Sequence, residues 1–355
     1  MKEEFTALQK NNTWILTYLP HGKNVVGCKW VYKIKKHADG SVAKYKARLV
    51  AQGFSQAPGF DFKDTFSPVV KPTTIRVIIT LAVTFSWPNL GELHHFLGIE
   101  INKTPQGLHL SQGSYVKELL QRAHMCTAKR CPTPMVASLR LSKFTGDPSI
   151  DGTSYRSIVG ALQYVTITRP EISYSVNKVS QYMVNPLDSH WKAVKRILRY
   201  LAGTPDVGLN FTAATHLILT AFSDSDWAAD LDDRRSTSGF CVYLGSNLAS
   251  WSSKNQHTVS KSSTEAEYRS LAQATSEVTW LSSLLHELNF QFTKIPVIWV
   301  DNLSTISLAS NPVLHARTKH IELDIHFVRE KVAAQHIQIQ HVPSSIKVAT
   351  YLLNH

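Results

Sequence analysis

Three acidic residues occupy positions where the active sites of α/β proteins collect carboxylates. Asp224 ends an apolar, strand-like stretch, Glu267 lies in the first turns of a long predicted helix, and Asp301 follows a second short strand. Because strand ends and helix starts meet at one edge of such a sheet, we expect the three side chains to converge. Carboxylates forced together are stabilised by divalent cations, and hard oxygen ligands favour Mg²⁺ or Mn²⁺. The pattern therefore predicts metal-dependent hydrolysis of a phosphodiester.

Each of these carboxylates also has a structural explanation. Asp224 is compatible with an ordinary turn acid, and Asp301 with the N-cap of the helix that follows it. The sequence Ser262-x-x-Glu265 fits a capping box, which assigns Glu265 to the helix start and leaves Glu267 for a metal site. Spacing alone does not decide between these roles and a shared metal site.

The elements that must position these side chains lie between residues 213 and 355. Three strand-like segments follow one another, and a long helix, a short strand, two helices and a last strand come after them. This order is typical of a mixed sheet with an antiparallel start. The predicted strands are 217–223, 238–244, 248–252, 296–300 and 336–342, and the longer helices are 263–289 and 319–334.

The chain upstream of this region is predicted to be a hairpin followed mostly by helices. An apolar helical run spans residues 75–85, and strands from Leu93 to Ile101 and from Leu108 to Leu110 flank Gln106-Gly107. Apolar residues then recur at intervals of three and four, which is the period of an amphipathic helix. The predicted helices are 113–124, 153–166, 171–184 and 188–203.

A basic β-hairpin is predicted near the beginning of the chain. Residues 29–36 and 44–52 alternate as strands do, and Asp39-Gly40 between them is a strong turn signal. Basic residues spaced by two lie on one face of the second strand, which suits a nucleic-acid backbone. The alternative is a solvated edge kept soluble by lysines, and the pattern alone favours it. The basic residues of this face are Lys44, Lys46 and Arg48.

The composition indicates a globular protein with a positive charge. The chain has 355 residues, is 43% hydrophobic and 18% charged, and carries a formal charge of +12. This length predicts two or three domains, and the hydrophobic content argues against intrinsic disorder. Basic chains of this size often bind polyanions, although charge alone does not separate that role from simple solubility.

Several protein classes are disfavoured by the sequence. No run of eighteen apolar residues occurs, so no membrane span is expected. The N-terminus lacks the apolar core of a signal peptide, so we expect a cytoplasmic or nuclear protein that is not secreted. The four cysteines lack Cys-x-x-Cys spacing, which argues against a zinc site or a disulfide framework. No small-molecule cofactor is expected.

The last part of the chain contains four motifs in series. They are SDSDWAADLDDRRSTSGFCVY at 223–243, WSSKNQHTVSKSSTEAEYRSLA at 251–272, VDN at 300–302 and HARTKHIELDIHFVREKV at 315–332. In this order they resemble the RNase H domain of Ty1/copia-type retrotransposon Pol polyproteins, and the first motif resembles the start of that domain.

The resemblance implies degradation of the RNA strand of an RNA–DNA hybrid with Mg²⁺ or Mn²⁺. The partner expected from it is therefore an RNA–DNA hybrid or another nucleic-acid duplex. The expected catalytic and metal-binding residues are Asp224, Glu267 and Asp301. Further nucleic-acid contacts near the nuclease site are expected at Arg317, Lys319 and His320.

Earlier segments resemble the reverse transcriptase of the same family, which carries out RNA-directed DNA synthesis. Residues 29–87 resemble the polymerase fingers and the start of the palm, whereas 90–101 and 154–169 resemble segments after the palm. We therefore predict an α/β and α+β architecture. Its parts are a fingers and early-palm remnant at 1–88, a mostly helical thumb or connection region at 89–212, and an RNase H-like mixed five-stranded sheet with helices at 213–355.

Two departures from the family bear on activity. Family members continue after the position of Pro88 into a strand with the first polymerase aspartate and later reach a Tyr-x-Asp-Asp hairpin, and no Tyr-x-Asp-Asp occurs here. Polymerase activity is therefore predicted to be absent, because phosphoryl transfer would lack its metal ligands. Thr350 stands where the family carries the fourth nuclease carboxylate, which predicts weak or absent RNase H activity. Asp324 lies in the preceding helix, and no motif supports it as a substitute.

The resemblance predicts a degenerate Pol fragment that is internally deleted and C-terminally truncated. Three interpretations stay open: a residual RNase H-like nuclease, an inactive relic that binds nucleic acid, and a translated relic without a selected function. A fourth is a gene-model fragment of a fuller polyprotein, which genomic sequence around the Pro88 junction would distinguish.

Overall fold

The computed structural model describes most of the chain in two compact units. These units are Met1–Val70 and Lys71–His355. The predicted domain boundaries after residues 88 and 212 stay predictions. The described residues are 5–6, 8–9, 17–19, 21, 25–36, 41–53, 70–85, 94–136, 139–147, 151–290, 294–311 and 319–343.

The main described element of the first unit is an antiparallel hairpin. Strand β1 (Cys28–Lys36) pairs with β2 (Val42–Ala51), which confirms the two predicted strands. The predicted turn at Asp39-Gly40 lies outside the described residues. Residues directly opposite each other share a face of the pair, and the register sets Lys33 against Lys46.

The second unit begins with a helix and a small antiparallel sheet. The strand predicted from Leu93 to Ile101 is interrupted, because Leu97 and Gly98 adopt positive φ angles of 49° and 77°. The second predicted strand is present in longer form. The elements are α1 (Pro72–Phe85), β3 (His95–Phe96), β4 (Ile99–Thr104) and β5 (Gly107–Ser111).

Four helices follow and share one apolar core. This core is built from the apolar stripes that the sequence predicted, including Leu162, Val179 and Leu198. The third of these helices is shorter than predicted and is preceded by a 3₁₀ turn at Pro170–Ile172. The helices are α2 (Gly113–Arg122), α3 (Gly152–Val165), α4 (Ser173–Ser180) and α5 (Asp188–Gly203).

A strand that the sequence analysis missed closes the small sheet. Strand β6 (Leu209–Thr212) pairs with β5, and the sheet has the order β3-β4-β5-β6. The residues of β6 fall in the segment predicted to be mostly helical. Four residues are too few to establish the alternation that distinguishes a strand.

The remainder of the second unit contains the predicted mixed five-stranded sheet. The strands are β7 (Leu219–Asp226), β8 (Thr237–Leu244), β9 (Asn247–Asn255), β10 (Val297–Val300) and β11 (Gln338–His341). The first three strands are antiparallel, and β10 and β11 join by parallel pairing, in the order β11-β10-β7-β8-β9. This arrangement confirms the predicted antiparallel start.

Three helices accompany this sheet, and the longest covers its centre. Helix α6 (Ser263–Glu287) buries its apolar side, including Leu271 and Val278, against the strands. Helices α7 (Leu303–Ser310) and α8 (Glu322–Ala333) contribute Leu308, Ile325 and Val328 to the same core. Among the described residues, no helix has the length and apolar character needed to cross a bilayer.

Helix α1 also belongs to this core. Val77 and Leu81 have no exposed surface and pack with residues of the five-stranded sheet. The Thr73 hydroxyl lies 3.3 Å from Ser250 Oγ on β9 and donates a hydrogen bond to it. The segment resembling the polymerase fingers and palm therefore contributes a buried helix to the unit with the nuclease-like sheet.

Candidate active site

The three predicted carboxylates meet at one edge of the five-stranded sheet. Asp224 lies near the end of β7, Asp301 directly follows β10, and Glu267 is on the second turn of α6. Strands β7 and β10 are parallel neighbours, so their carboxyl ends meet at the same edge. One ligand oxygen from each residue lies within 4.8 Å of the others. The convergence expected from the sequence is therefore present, while the catalytic and metal-binding roles stay predictions.

Glu267 is the most constrained member of this carboxylate cluster. Its side chain is buried, whereas those of Asp224 and Asp301 reach solvent. Burial and the neighbouring Asp224 and Asp301 carboxylates raise the pKa of Glu267 to about 9. Its Oε2 atom is buried and has no hydrogen-bond partner among the described residues. An unsatisfied buried carboxylate oxygen is costly, and a bound cation would remove that cost.

A single backbone group orients two of the three carboxylates. The Ser225 N–H donates to Asp224 Oδ1 at 2.8 Å and to Glu267 Oε1 at 3.2 Å. The Ser270 hydroxyl donates to the carbonyl oxygen of Asp224 at 2.7 Å and so fixes α6 against β7. The sequence analysis missed Ser270, although a serine three residues after Glu267 on the sheet-facing side of a helix is a usable signal.

The structure shows which residues cap the helices beside the carboxylate cluster. Asn302, not Asp301, caps α7, since its Oδ1 accepts from Thr305 N at 3.1 Å. Ser262 Oγ accepts from Glu265 N at 3.2 Å, as the predicted N-cap requires.

The Glu265 carboxylate serves the start of α6. It accepts from Lys261 N at 2.8 Å, whereas a strict capping box would use the N–H of the N-cap residue Ser262. It also accepts from Arg269 Nη2 at 3.0 Å. Glu265 is therefore engaged away from the cluster, and Glu267 is the carboxylate available to it.

The predicted nucleic-acid contacts near this site are only partly described. His320 is exposed, and its Nε2 lies 2.6 Å from Lys261 Nζ. Lys319 is described by its backbone in the 3₁₀ turn Lys319–Ile321. Arg317 and Thr350 lie outside the described residues.

The remaining acidic candidate, Asp324, is not part of the carboxylate cluster. It is half-buried on α8, and the only metal-competent group found in the described residues is the one formed by Asp224, Glu267 and Asp301. Burial raises the pKa of Asp324, and the neighbouring Arg269 guanidinium opposes that rise. This position outside the cluster agrees with the absence of a sequence motif that would support Asp324 as a substitute ligand.

In the first unit, the predicted basic face lies on β2. Arg48 is exposed, Lys46 is half-buried, and Lys44 is described by its backbone alone. In the strand register, Arg48 lies opposite Val31, Lys46 opposite Lys33, and Lys44 opposite Lys35. Alternate positions of both strands are therefore rich in lysine and arginine.

The chain is similar to Pol polyproteins along nearly its whole length. It is 38% identical to the retrovirus-related Pol polyprotein from transposon RE2 of Arabidopsis thaliana, over 99% of this chain and 32% of that polyprotein. It is 32% identical to the putative transposon Ty5-1 protein YCL074W of Saccharomyces cerevisiae, over 57% of this chain and 67% of that protein. The chain belongs to the Ty1/copia-type retrotransposon Pol family. The family predicted from the sequence motifs is thus confirmed.

The alignment with the RE2 polyprotein leaves many of its positions without a counterpart in this chain. The family profile described as reverse transcriptase (RNA-dependent DNA polymerase) matches residues 11–89, which ends next to Pro88. The RE2 match spans 471 positions and exceeds the 355 residues of this chain by 116, so at least 116 of its positions have no residue here. This chain also spans only about a third of the RE2 polyprotein.

Solved structures resemble this Pol family chain more distantly. One is the foamy viral protease-reverse transcriptase in complex with RNA/DNA hybrid, which has 12% sequence identity and a TM-score of 0.40. That comparison covers 70% of this chain and 28% of the viral chain.

Proposed function

We propose that this chain binds an RNA–DNA hybrid, hydrolyses its RNA strand slowly with a divalent cation, and does not polymerise DNA. The observation that carries the proposal is the approach of Asp224, Glu267 and Asp301 to within 4.8 Å of one another. Membership of the Pol family supports the hybrid as the substrate class, because the matching motifs resemble an RNase H domain.

The three carboxylates would hold Mg²⁺ or Mn²⁺, and such a cation supplies an activated water and stabilises the charge that develops at a scissile phosphate. The donor set fits a hard cation because all ligand atoms are carboxylate oxygens. The buried, unpartnered Oε2 of Glu267 supports the same assignment. The chain itself orients Asp224 and Glu267 through the Ser225 N–H and leaves Asp301 open to the substrate side.

Slow hydrolysis is expected because of the fourth carboxylate position. By resemblance, Thr350 stands where the family carries an aspartate, and a neutral hydroxyl is a poor ligand for a hard cation. Loss of one metal-orienting group costs roughly 4 kcal/mol of transition-state stabilisation, which is about a thousandfold in rate.

The absence of polymerase activity is argued from the sequence. At least 116 positions of the RE2 match have no counterpart, and no Tyr-x-Asp-Asp is present to supply polymerase metal ligands. Without those carboxylates, phosphoryl transfer to a primer has no electrostatic support.

A labelled RNA–DNA hybrid tests the proposal directly. The full chain is expected to release RNA fragments slowly in Mg²⁺, and Asp224→Asn is expected to abolish the release. Thr350→Asp is expected to accelerate it if the new carboxylate reaches the cluster. Rapid cleavage by the unmodified chain would contradict the argument from Thr350, and cleavage that survives Asp224→Asn would contradict the site.

Primer extension by the same preparation is expected to give no product.

A second candidate function, binding of nucleic acid without cleavage, is favoured by the hairpin. Lys33 lies directly opposite Lys46 on β1 and β2. Like charges in that position destabilise a strand pair, and a bound phosphate backbone would relieve the repulsion. This function would persist even if the carboxylate cluster were inactive.

A further inference from the structure

An exposed tryptophan directly follows the strand that carries Asp224. Trp227 follows Asp224 by three residues, at the start of the loop 227–236 between β7 and β8. Its side chain is 49% exposed, yet its indole Nε1 donates to the carbonyl oxygen of Ser260 at 3.1 Å. Because the polar atom of the ring is satisfied by the protein, the ring is fixed while much of its apolar surface remains in solvent.

The loop that carries Trp227 is held rigidly from within. Asp230 Oδ1 accepts from the N–H groups of Asp232 and Asp233 at 2.9 and 3.3 Å. The N–H of Ala228 donates to Ser236 Oγ at 3.1 Å, and Ala228 itself has a positive φ of 53°. The left-handed conformation of a non-glycine residue costs free energy, so this turn is maintained by the surrounding contacts.

The preceding helical region holds the same loop from outside. Lys178 Nζ on α4 lies 3.5 Å from Asp230 Oδ2, and both side chains are nearly fully buried. The Asp232 carboxylate accepts from Ser142 Oγ at 2.6 Å and from Lys143 N at 2.9 Å. The loop that carries Trp227 is therefore bonded both within itself and to the preceding helical region.

Basic side chains lie next to the residue that anchors the indole. Lys261 follows Ser260, is exposed, and has its Nζ 2.6 Å from the exposed His320. Arg269 Nη2 donates to the carbonyl oxygen of His320 at 3.1 Å and so holds that turn against α6. An exposed aromatic ring and the Lys261 ammonium, which donates to His320 Nε2, thus occupy the same end of the sheet as the carboxylates.

Exposed aromatic residues scattered singly over a surface need no functional explanation. Trp227 differs because its indole N–H is bonded to the protein, and because the same end of the sheet carries carboxylates for a cation and the Lys261 ammonium for a phosphate. Bases stack on such rings irrespective of sequence, and phosphates bind lysine. We propose that Trp227 is a stacking platform for the nucleic-acid strand at the carboxylate cluster, with Lys261 contacting an adjacent phosphate. This inference rests on the proposed function and names a substrate contact for it.

The test measures affinity without cleavage. The full chain with Asp224→Asn is titrated into a fluorescent RNA–DNA hybrid, and the dissociation constant is obtained from anisotropy. Trp227→Ala and Trp227→Leu are each expected to weaken binding roughly tenfold, whereas Trp227→Phe keeps most of the affinity because it retains an aromatic face. Phe96→Ala, which removes an aromatic ring that is 45% exposed, is the matched control and should leave the affinity unchanged.

Salt dependence separates stacking from phosphate binding. Lys261→Gln is expected to flatten the slope of log affinity against log salt by about one unit, whereas Trp227→Ala should lower the affinity without changing the slope. Because the Leu and Phe variants both retain apolar bulk, a difference between them cannot arise from misfolding of an emptied site. Equal affinity of all Trp227 variants would overturn the inference and leave hybrid binding intact.

The remaining outcomes separate the inference from the proposed function. If the Asp224→Asn chain bound no hybrid at all, both would be wrong. If Trp227-dependent binding were found but the unmodified chain showed no cation-dependent cleavage, the proposed hydrolysis would be wrong and the stacking interaction would stand.

Discussion

At the scale of single residues, Glu267 determines how the site responds to protons and cations. Its carboxyl group is buried beside two other carboxylates, and its pKa is raised to about 9, so at neutral pH it carries a proton when no cation is present. A divalent cation must displace that proton to gain the ligand. Cation binding and proton release are therefore coupled at this position.

The first prediction follows from this coupling and concerns stability in a chelator. Between its unfolded pKa of about 4.5 and its folded pKa of about 9, the folded state binds one more proton through Glu267 than the unfolded state does. The free energy of unfolding should therefore fall as pH rises across this range, by up to about 1.4 kcal/mol per pH unit from this group. Urea titrations in EDTA at pH 6, 7 and 8 measure the effect.

The control for that experiment is chosen on the same helix. Glu267→Gln should remove the pH-dependent loss, whereas Glu287→Gln, at an exposed position near the end of α6, should retain it. Mg²⁺ should stabilise the unmodified chain more at pH 8 than at pH 6, because the proton competes less. An identical pH dependence for the unmodified chain and Glu267→Gln would contradict the buried, protonated state.

At the scale of secondary-structure elements, periodicity predicted the strands and helices around the site because each has a clear pattern. Strand β7 ends at the acidic residues, and α6 begins at the Ser262 cap, so the positions of Asp224 and Glu267 followed from local sequence. The Ser270 hydrogen bond across to β7 was not predictable in this way, since it depends on the packing of α6 on the sheet. The burial of α1 depends likewise on tertiary packing.

The sequence alone does not decide whether the hairpin of β1 and β2 is a solvated edge or a face that binds phosphates. Replacing Lys44, Lys46 and Arg48 together by Gln should flatten the salt dependence of hybrid affinity by about one unit for each phosphate that is no longer neutralised. The measurement is the dissociation constant of the labelled hybrid at 50 to 200 mM salt, a range in which neutralised phosphates change affinity strongly.

A second triple variant makes the hairpin experiment specific. It replaces three exposed basic residues of α2 and the following segment, Lys117, Arg122 and Lys129, by Gln. If the basic face of the hairpin binds the backbone, only the first triple variant should flatten the slope. Equal slopes in both variants and the unmodified chain would mean that the hairpin is a solvated edge.

At the scale of the whole molecule, the compact unit with the carboxylate cluster begins well before the segment that resembles RNase H. Lys71–His355 is one unit, and α1 lies at its beginning. The Arg76 guanidinium packs over the Trp251 ring of β9 at 3.7 Å, and burial lowers its pKa to about 9. A polar group of this kind is retained inside a core only with compensating contacts, so α1 is an integral part of this unit.

The last prediction tests that integration by mutation and truncation. Leu81 has no exposed surface, so Leu81→Ala should lower the free energy of unfolding by roughly 2 to 5 kcal/mol, through reduced burial and the cavity left behind. Val184→Ala, at an 82% exposed site, should change it by less than about 0.5 kcal/mol. A chain starting at Lys71 should keep cooperative unfolding, whereas one starting at His94 lacks α1 and should unfold at lower urea concentration. Equal urea midpoints for the two truncated chains would show that α1 is dispensable to this unit.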